Sequence, residues 1–209
     1  MSPSRVSTPE AVVMDLGDVM IRWEPHKAIA AAVGEEEAHR FLAATDFDFR
    51  AWNHEQDAGR PWAEAEDRAC RTHPHWRTHV LAYRRNFRLS VEHAITGTVA
   101  IVQRLHDAGV PLFGLTNWSA ELFPFARERH RFLDLFEDIV VSGEERIAKP
   151  DPAIFDVLQR RVGRPLDRCV YVDDSPRNVE AAGRAGLDAI AFVGPERLRA
   201  DLRERGLPV

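Results

Sequence analysis

Apolar residues in the second half of the chain gather in short unbroken runs, separated by stretches where they recur every third or fourth position. The runs are PLFGLTN at 111–117, DIVVSG at 138–143, CVYVDDS at 169–175 and DAIAFV at 188–193, each closing on polar or small residues. Between them, Ile101, Val102, Leu105 and Ala108 make one helical stripe, and Ile154, Phe155, Leu158 and Val162 make another. The boundaries agree. Asp151 and Pro152 read as a helix N-cap and first position, with Gly163 as the stop; Ser175 with Pro176 and then Gly186 bracket the next helix. Near-continuous apolar strands alternating with helices predict an α/β fold with a doubly wound, mostly parallel, Rossmann-like sheet. A first strand lies within VVMDLGDVMIRW, residues 12–23, where the apolar run halts at Asp15.

Residues 24–95 follow a different pattern. EPHKAIAAAVGEEEAHRFLAA reads as one or two helices with GEEEAHR as a solvated start, AEAEDRACRTH as another, and WRTHVLAYRRNFRL as another. WNHEQDAGRPWAEAE reads as a helix, a glycine stop and a new helix, a feature that fixes local shape. No strand signal intervenes. The expected organisation is an α/β core from residues 1–23 and 96–209, with a small all-helical insertion, 24–95, after the first strand. The tryptophans in and beside this insertion are either core or an interface.

Composition narrows the function classes. A formal charge of −5 gives no electrostatic case for nucleic acid or an anionic membrane as partner. MSPSRVSTPE lacks a basic-then-apolar export pattern, and no apolar run is long enough to span a bilayer. Cys70 and Cys169, far apart and without CxxC spacing, read as buried thiols in a reducing cytoplasm. The expectation is a soluble cytoplasmic protein, monomer or homodimer. Lys27 and Lys149 are the only lysines among 28 cations, so a lysine inside a motif draws attention.

Ligands of open parallel sheets bind at the carboxyl ends of the strands. Those ends collect Asp15 from the first strand, Thr116 and Asn117 from the second, Lys149 after the third, and Asp173 and Asp174 from the fourth. Three carboxylates, a lysine and a hydroxyl at one point would be costly as bare burial. An oxygen-loving divalent cation such as Mg²⁺ rationalises the carboxylates, and Thr116, Asn117 and Lys149 then face the charge of a phosphoryl group. His73, His75 and His79 invite a zinc reading, but without further ligands nearby they are expected to be a solvated cluster.

The order DLGDV, LTNWS, KPDP, VYVDDSPRN resembles the four motifs of the haloacid dehalogenase-like (HAD) hydrolase superfamily, in its branch with a helical cap after strand one. It is most similar to bacterial sugar-phosphate phosphatases that begin D-x-G. The resemblance covers about residues 11 to 193 and implies a Mg²⁺-dependent phosphatase acting on a small phosphorylated metabolite. It implies Asp15 as nucleophile forming an aspartyl-phosphate, and Thr116 and Asn117 as ligands of the phosphoryl oxygens. Lys149 would neutralise charge. Asp15, the Gly17 carbonyl and Asp174 would be metal ligands, with Asp173 an additional or outer ligand and Asn178 steadying a metal-bound water. Trp118, directly after the phosphate-binding pair, either walls the cleft or simply packs in the core, and Asp18, Arg22 and Trp23 lie in a flap where substrate could be touched.

Gly17 breaks the commoner pattern, in which an aspartate two residues after the nucleophile protonates the leaving oxygen and then activates water. Three substitutes are open: a leaving group good enough to need no proton, such as an anomeric sugar phosphate or acyl phosphate; Asp18 through a bulge; or an acid from the cap or solvent. Two other readings compete with the phosphatase. A metal-free 2-haloacid dehalogenase is disfavoured by the Asp173–Asp174 pair, and a catalytically weak binding or regulatory protein is suggested by Gly17.

Overall fold

The computed structural model describes residues 8–209. Strands β1 (Ala11–Met14), β2 (Leu112–Thr116), β3 (Asp138–Val141), β4 (Cys169–Asp173) and β5 (Asp188–Ala191) form one parallel sheet in the order β3-β2-β1-β4-β5. Helices α1 (Pro25–Val33), α2 (Glu35–Leu42), α3 (Phe49–Asp57), α4 (Trp62–Thr72), α5 (Arg77–Arg85) and α6 (Thr96–Asp107) lie between β1 and β2. Next come α7 (Phe123–Arg129) and α8 (Ser142–Glu145), and then α9 (Pro152–Val162), α10 (Pro176–Arg184) and α11 (Pro195–Glu204).

Side-chain alternation along the strands explains the winding. Val12 and Met14 of β1 join a core with Ile101, Leu105 and Leu202, so α6 and α11 cover one face. Ala11 and Val13 join the other core, with Ile154, Leu158 and Ala182, so α9 and α10 cover the opposite face. β1 is central, and its flanking strands run in register, with Met14 opposite Gly114 on one side and Val172 on the other. Whatever follows Met14, Thr116 and Asp173 therefore emerges at the same edge. Two predicted strands end early: β3 gives way at Ser142 to the one-turn α8, and β5 stops at Ala191.

The helical stretch after β1 is bound to the sheet through a shared core. Phe41, Trp52, Trp62, Trp76 and Tyr83 are buried in the same cluster as Val12 and Ile101. All four tryptophans within the described residues 52–118 are core rather than surface. The predicted first helical run is two helices, because Gly34 takes φ 86 and turns the chain. Entry and exit lie side by side: Arg22 N–H donates to the His93 carbonyl, and Ile95 N–H to that of Met20, both at 2.8–2.9 Å. His79 is buried against Phe41 and Trp76, correcting the expected solvated histidine cluster. It shares the inward face of α5 with Tyr83, one turn further on. His75 instead pairs with Asp46 at 2.7 Å.

Candidate active site

Asp15 is the first residue past β1, tied to β4 by its backbone N–H on the Val172 carbonyl at 2.8 Å. One of its carboxylate oxygens accepts from Leu16 N–H at 2.7 Å and lies 3.0 Å from Lys149 Nζ. Lys149 is fully buried, and its ammonium also donates to the Leu115 carbonyl at 2.8 Å and to Asp173 at 2.7 Å. The three donor positions of the ammonium thus find acceptors in β2, just past β1 and in β4. Burial opposes this charge, but Asp15 and Asp173 outweigh it and hold the lysine above its ordinary pKa.

Asp173 is saturated with donors. Besides Lys149 it accepts from the Tyr171 hydroxyl, from Ser175 N–H at 2.8 Å and from Asn178 Nδ2 at 3.1 and 3.2 Å. Asn178 therefore braces Asp173. Asp174 is exposed at the mouth. Oxygens of Asp15, Asp173 and Asp174 all lie within 4.8 Å of one another. Burial raises the Asp15 carboxyl to about 7, with Asp173 and Asp174 adding to the effect and Lys149 opposing it. Asp174 is raised by burial and then by Asp173 and Asp18.

This donor set suits a hard divalent cation. It is all oxygen, carries more negative charge than one lysine offsets, and leaves Asp15 and Asp174 with free lone pairs where Asp173 has few. Gly17 lines the adjoining cavity. Thr116 Oγ1 is buried and has no partner among the described residues, an unmet hydroxyl beside the cluster. Such groups cost about 1–3 kcal/mol unless something fills the position, and a phosphoryl oxygen would.

Of the other expected site residues, Asp18, Trp23, Asn117 and Trp118 line the cavity and Arg22 does not. The Asn117 side chain is committed to the backbone of Lys149: its Nδ2 donates to the Lys149 carbonyl at 2.9 Å and its Oδ1 accepts Lys149 N–H at 2.8 Å. Its side chain therefore positions the lysine loop, while the residue also lines the cavity. Arg22 is exposed and lies outside the cavity, because the flap turns it toward solvent where its backbone pairs with His93. Asp18 sits in the left-handed region at φ 52, and its Oδ1 caps Trp23 N–H at 2.9 Å. It lines the cavity as a turn residue rather than through a bulge aimed at Asp15. Trp23 and Trp118 both line the cavity, Trp23 donating from Nε1 to the Tyr83 hydroxyl at 3.0 Å.

The cavity, of about 290 Å³, is lined by Gly17, Asn117 and Asp174 from the strand-end loops and by residues of α3. That helix contributes Arg50, Asn53, His54 and Asp57, none singled out by sequence motifs. Asp57 stands out: burial pushes its carboxyl up to about 7, against the pull of the Ser119 backbone amide and the Asn53 side chain. The available signal was a carboxylate two residues ahead of the Gly59 stop, in a chain lacking an acid at position 17.

Residues 9–186 match the family described as haloacid dehalogenase-like hydrolase, and the chain belongs to that family. Drimenol cyclase drtB of Aspergillus calidoustus is 24% identical over 94% of the chain and 38% of its own length. Sesquiterpene phosphatase astK of Aspergillus oryzae is 31% identical over 42% of the chain and 45% of its own length. Phosphoglycolate phosphatase of Aliivibrio fischeri is 28% identical over 44% and 40%. The chain thus spans less than half the length of each of these relatives. Among solved structures, a HAD family enzyme of Bacteroides thetaiotaomicron in complex with magnesium and inorganic phosphate superposes with TM-score 0.70 at 18% identity, covering 89% and 95% of the two chains. A dehalogenase with an intermediate complex superposes at 0.66 and 17% identity, covering 88% and 85%. These superpositions establish the common fold.

Proposed function

We propose that this chain is a Mg²⁺-dependent phosphatase that hydrolyses a small phosphorylated metabolite through an aspartyl-phosphate on Asp15. The observation that carries the reading is a cluster of three carboxylates within 4.8 Å of one another, two of them paired with a buried ammonium, together with an unmet threonine hydroxyl. Asp15, Asp174 and the Gly17 carbonyl would hold Mg²⁺, which when bound neutralises phosphoryl charge. Asp15 attacks phosphorus in line with the leaving oxygen. The Thr116 hydroxyl donates to a phosphoryl oxygen, and Lys149 favours the ionised form of Asp15 and offsets the charge spread over the group in flight. Asn117 fixes the Lys149 backbone, and Asp173 fixes its ammonium. Residues 24–95 act as the cap, with Trp23, Tyr83, Phe87 and Trp118 forming apolar walls for the carbon skeleton of the leaving group. The named phosphatase activities of relatives support this reading.

The test is turnover of p-nitrophenyl phosphate and a panel of sugar and other small phosphates, with Mg²⁺ and with EDTA. EDTA and Asp15→Asn should each abolish activity. Full turnover by Asp15→Asn would remove the nucleophile from this account. Dehalogenation remains the rival, since a dehalogenase shares the fold; it predicts halide release from 2-chloropropionate that ignores EDTA.

A further inference from the structure

The D-x-G start leaves a chemical vacancy at position 17. A Cβ built on Gly17 would meet nothing within 4 Å, so the space where an acid would stand is open cavity. Helix α3 lines the same cavity, and its last residue, Asp57, is held there by three contacts. Asn53 Nδ2 donates to its Oδ2 at 2.9 Å, and the Ser119 backbone amide lies beside its carboxyl. Its carbonyl accepts from the Ser142 hydroxyl, whose oxygen in turn accepts Trp118 N–H at 2.9 Å. Two residues on, Gly59 at φ 98 packs so tightly on α8 that a Cβ would come within 2.7 Å of Arg146 Cγ. A carboxyl from the helical insert is thereby bolted to the loops that carry Thr116 and Lys149.

We propose that Asp57 supplies the proton exchange for which Gly17 has no side chain. This rests on the phosphatase reading. In the first step the Asp57 carboxyl gives its proton to the leaving oxygen while the phosphorus–oxygen ester bond breaks and the bond from phosphorus to Asp15 forms; alcohol departs. In the second, the Asp57 carboxylate takes a proton from the water that attacks phosphorus. The Asp15–phosphorus bond breaks, releasing inorganic phosphate and restoring both carboxyls. A general acid must be protonated near working pH, and burial keeps Asp57 so to about 7. The charged or titratable groups around it are Arg50 and His54 on its own helix, Tyr83 on α5, Arg146 at the end of α8, and Asp18 and Asp174 at the strand ends. His54 is the other proton carrier here, but it is exposed on the cavity rim.

The experiment compares Asp57→Asn with wild type on two leaving groups, p-nitrophenolate and the best alkyl or sugar phosphate of the panel. kcat/KM reports the first step, where p-nitrophenolate needs no proton. Expected are a fall of about 10²- to 10⁴-fold in kcat/KM for the alkyl ester and a change of less than about tenfold for p-nitrophenyl phosphate. The retained p-nitrophenyl phosphate reaction shows that the variant is folded. It should also show a burst of p-nitrophenolate followed by slow turnover, as aspartyl-phosphate accumulates without its base. An equal fall for both esters, or no fall for either, overturns the assignment while leaving the phosphatase reading intact. No turnover of any phosphate ester by wild type defeats both.

Discussion

At the residue scale, two buried charges carry testable consequences. Lys149 is the only cation in contact with Asp15 and Asp173 among the described residues, so Lys149→Met strands two carboxylates in a low-dielectric site. Breaking such a pair costs about 3–5 kcal/mol, and urea unfolding should show that loss without Mg²⁺ and part of it recovered with Mg²⁺. An unchanged midpoint would mean the ammonium contributes little. Asp57 has the opposite problem, a proton retained to about 7 in the fold against 3.8 ordinarily. Between those values the folded state binds a proton that the unfolded chain has released, so stability falls as pH rises through that window. Asp57→Asn removes the titration. Its melting temperature should rise relative to wild type on going from about pH 5 to about pH 8, and a constant difference would contradict the shift.

At the element scale, the strand-end loops are fitted to one another through glycine. A Cβ at Gly143, on α8, would lie 2.4 Å from Ala120 N and 2.7 Å from the Trp118 carbonyl. Gly143→Ala must push away the loop that follows β2, and overpacking of that kind costs about 1–3 kcal/mol. Because Trp118 and Ser119 belong to the displaced segment and line the cavity, kcat/KM should fall as well as melting temperature. Gly183 is the contrast: it lies in α10 with nothing within 4 Å of its added Cβ. Gly183→Ala should stabilise by about 0.5–1 kcal/mol through reduced unfolded-state entropy, with activity unaltered. Helices were legible where periodicity and caps coincide, as in α9, where Asp151 caps Ala153 N–H and Gly163 adopts φ 66 at the stop. The early ends of β3 and β5 were not: Phe192 and Val193 carry the apolar run on past Ala191, and at Ser142 the chain turns into α8 without a proline to mark it.

At the scale of the whole molecule, the helical insert and the sheet share one apolar cluster and a set of polar ties. Trp62 Nε1 donates to Ser119 Oγ at 2.7 Å, and Trp62 N–H to Glu121 at 2.9 Å. A cation and phosphate bound between the two should therefore stabilise the folded chain as a unit. At a hundred times the dissociation constant the gain is about 2.7 kcal/mol, readable as a rise in melting temperature with Mg²⁺ and phosphate together. Asp174→Asn should abolish that rise, and a variant that kept it would place the cation elsewhere. Among the described residues no helix is long and apolar enough to cross a membrane.

The alternation of strand and helix, and the residues gathered at the strand ends, followed from the chain alone, because both are written in local periodicity and in where apolar runs stop. What each of those residues touches did not. Asn117 engages Lys149 across 32 positions, Lys149 engages Asp173 across 24, and the Ser142 hydroxyl reaches the Asp57 backbone across 85. Such partnerships depend on the packing of separate elements and leave no periodic trace. The same physics hid Asp57, an ordinary helix-end aspartate until the fold set it in the cavity that Gly17 also lines.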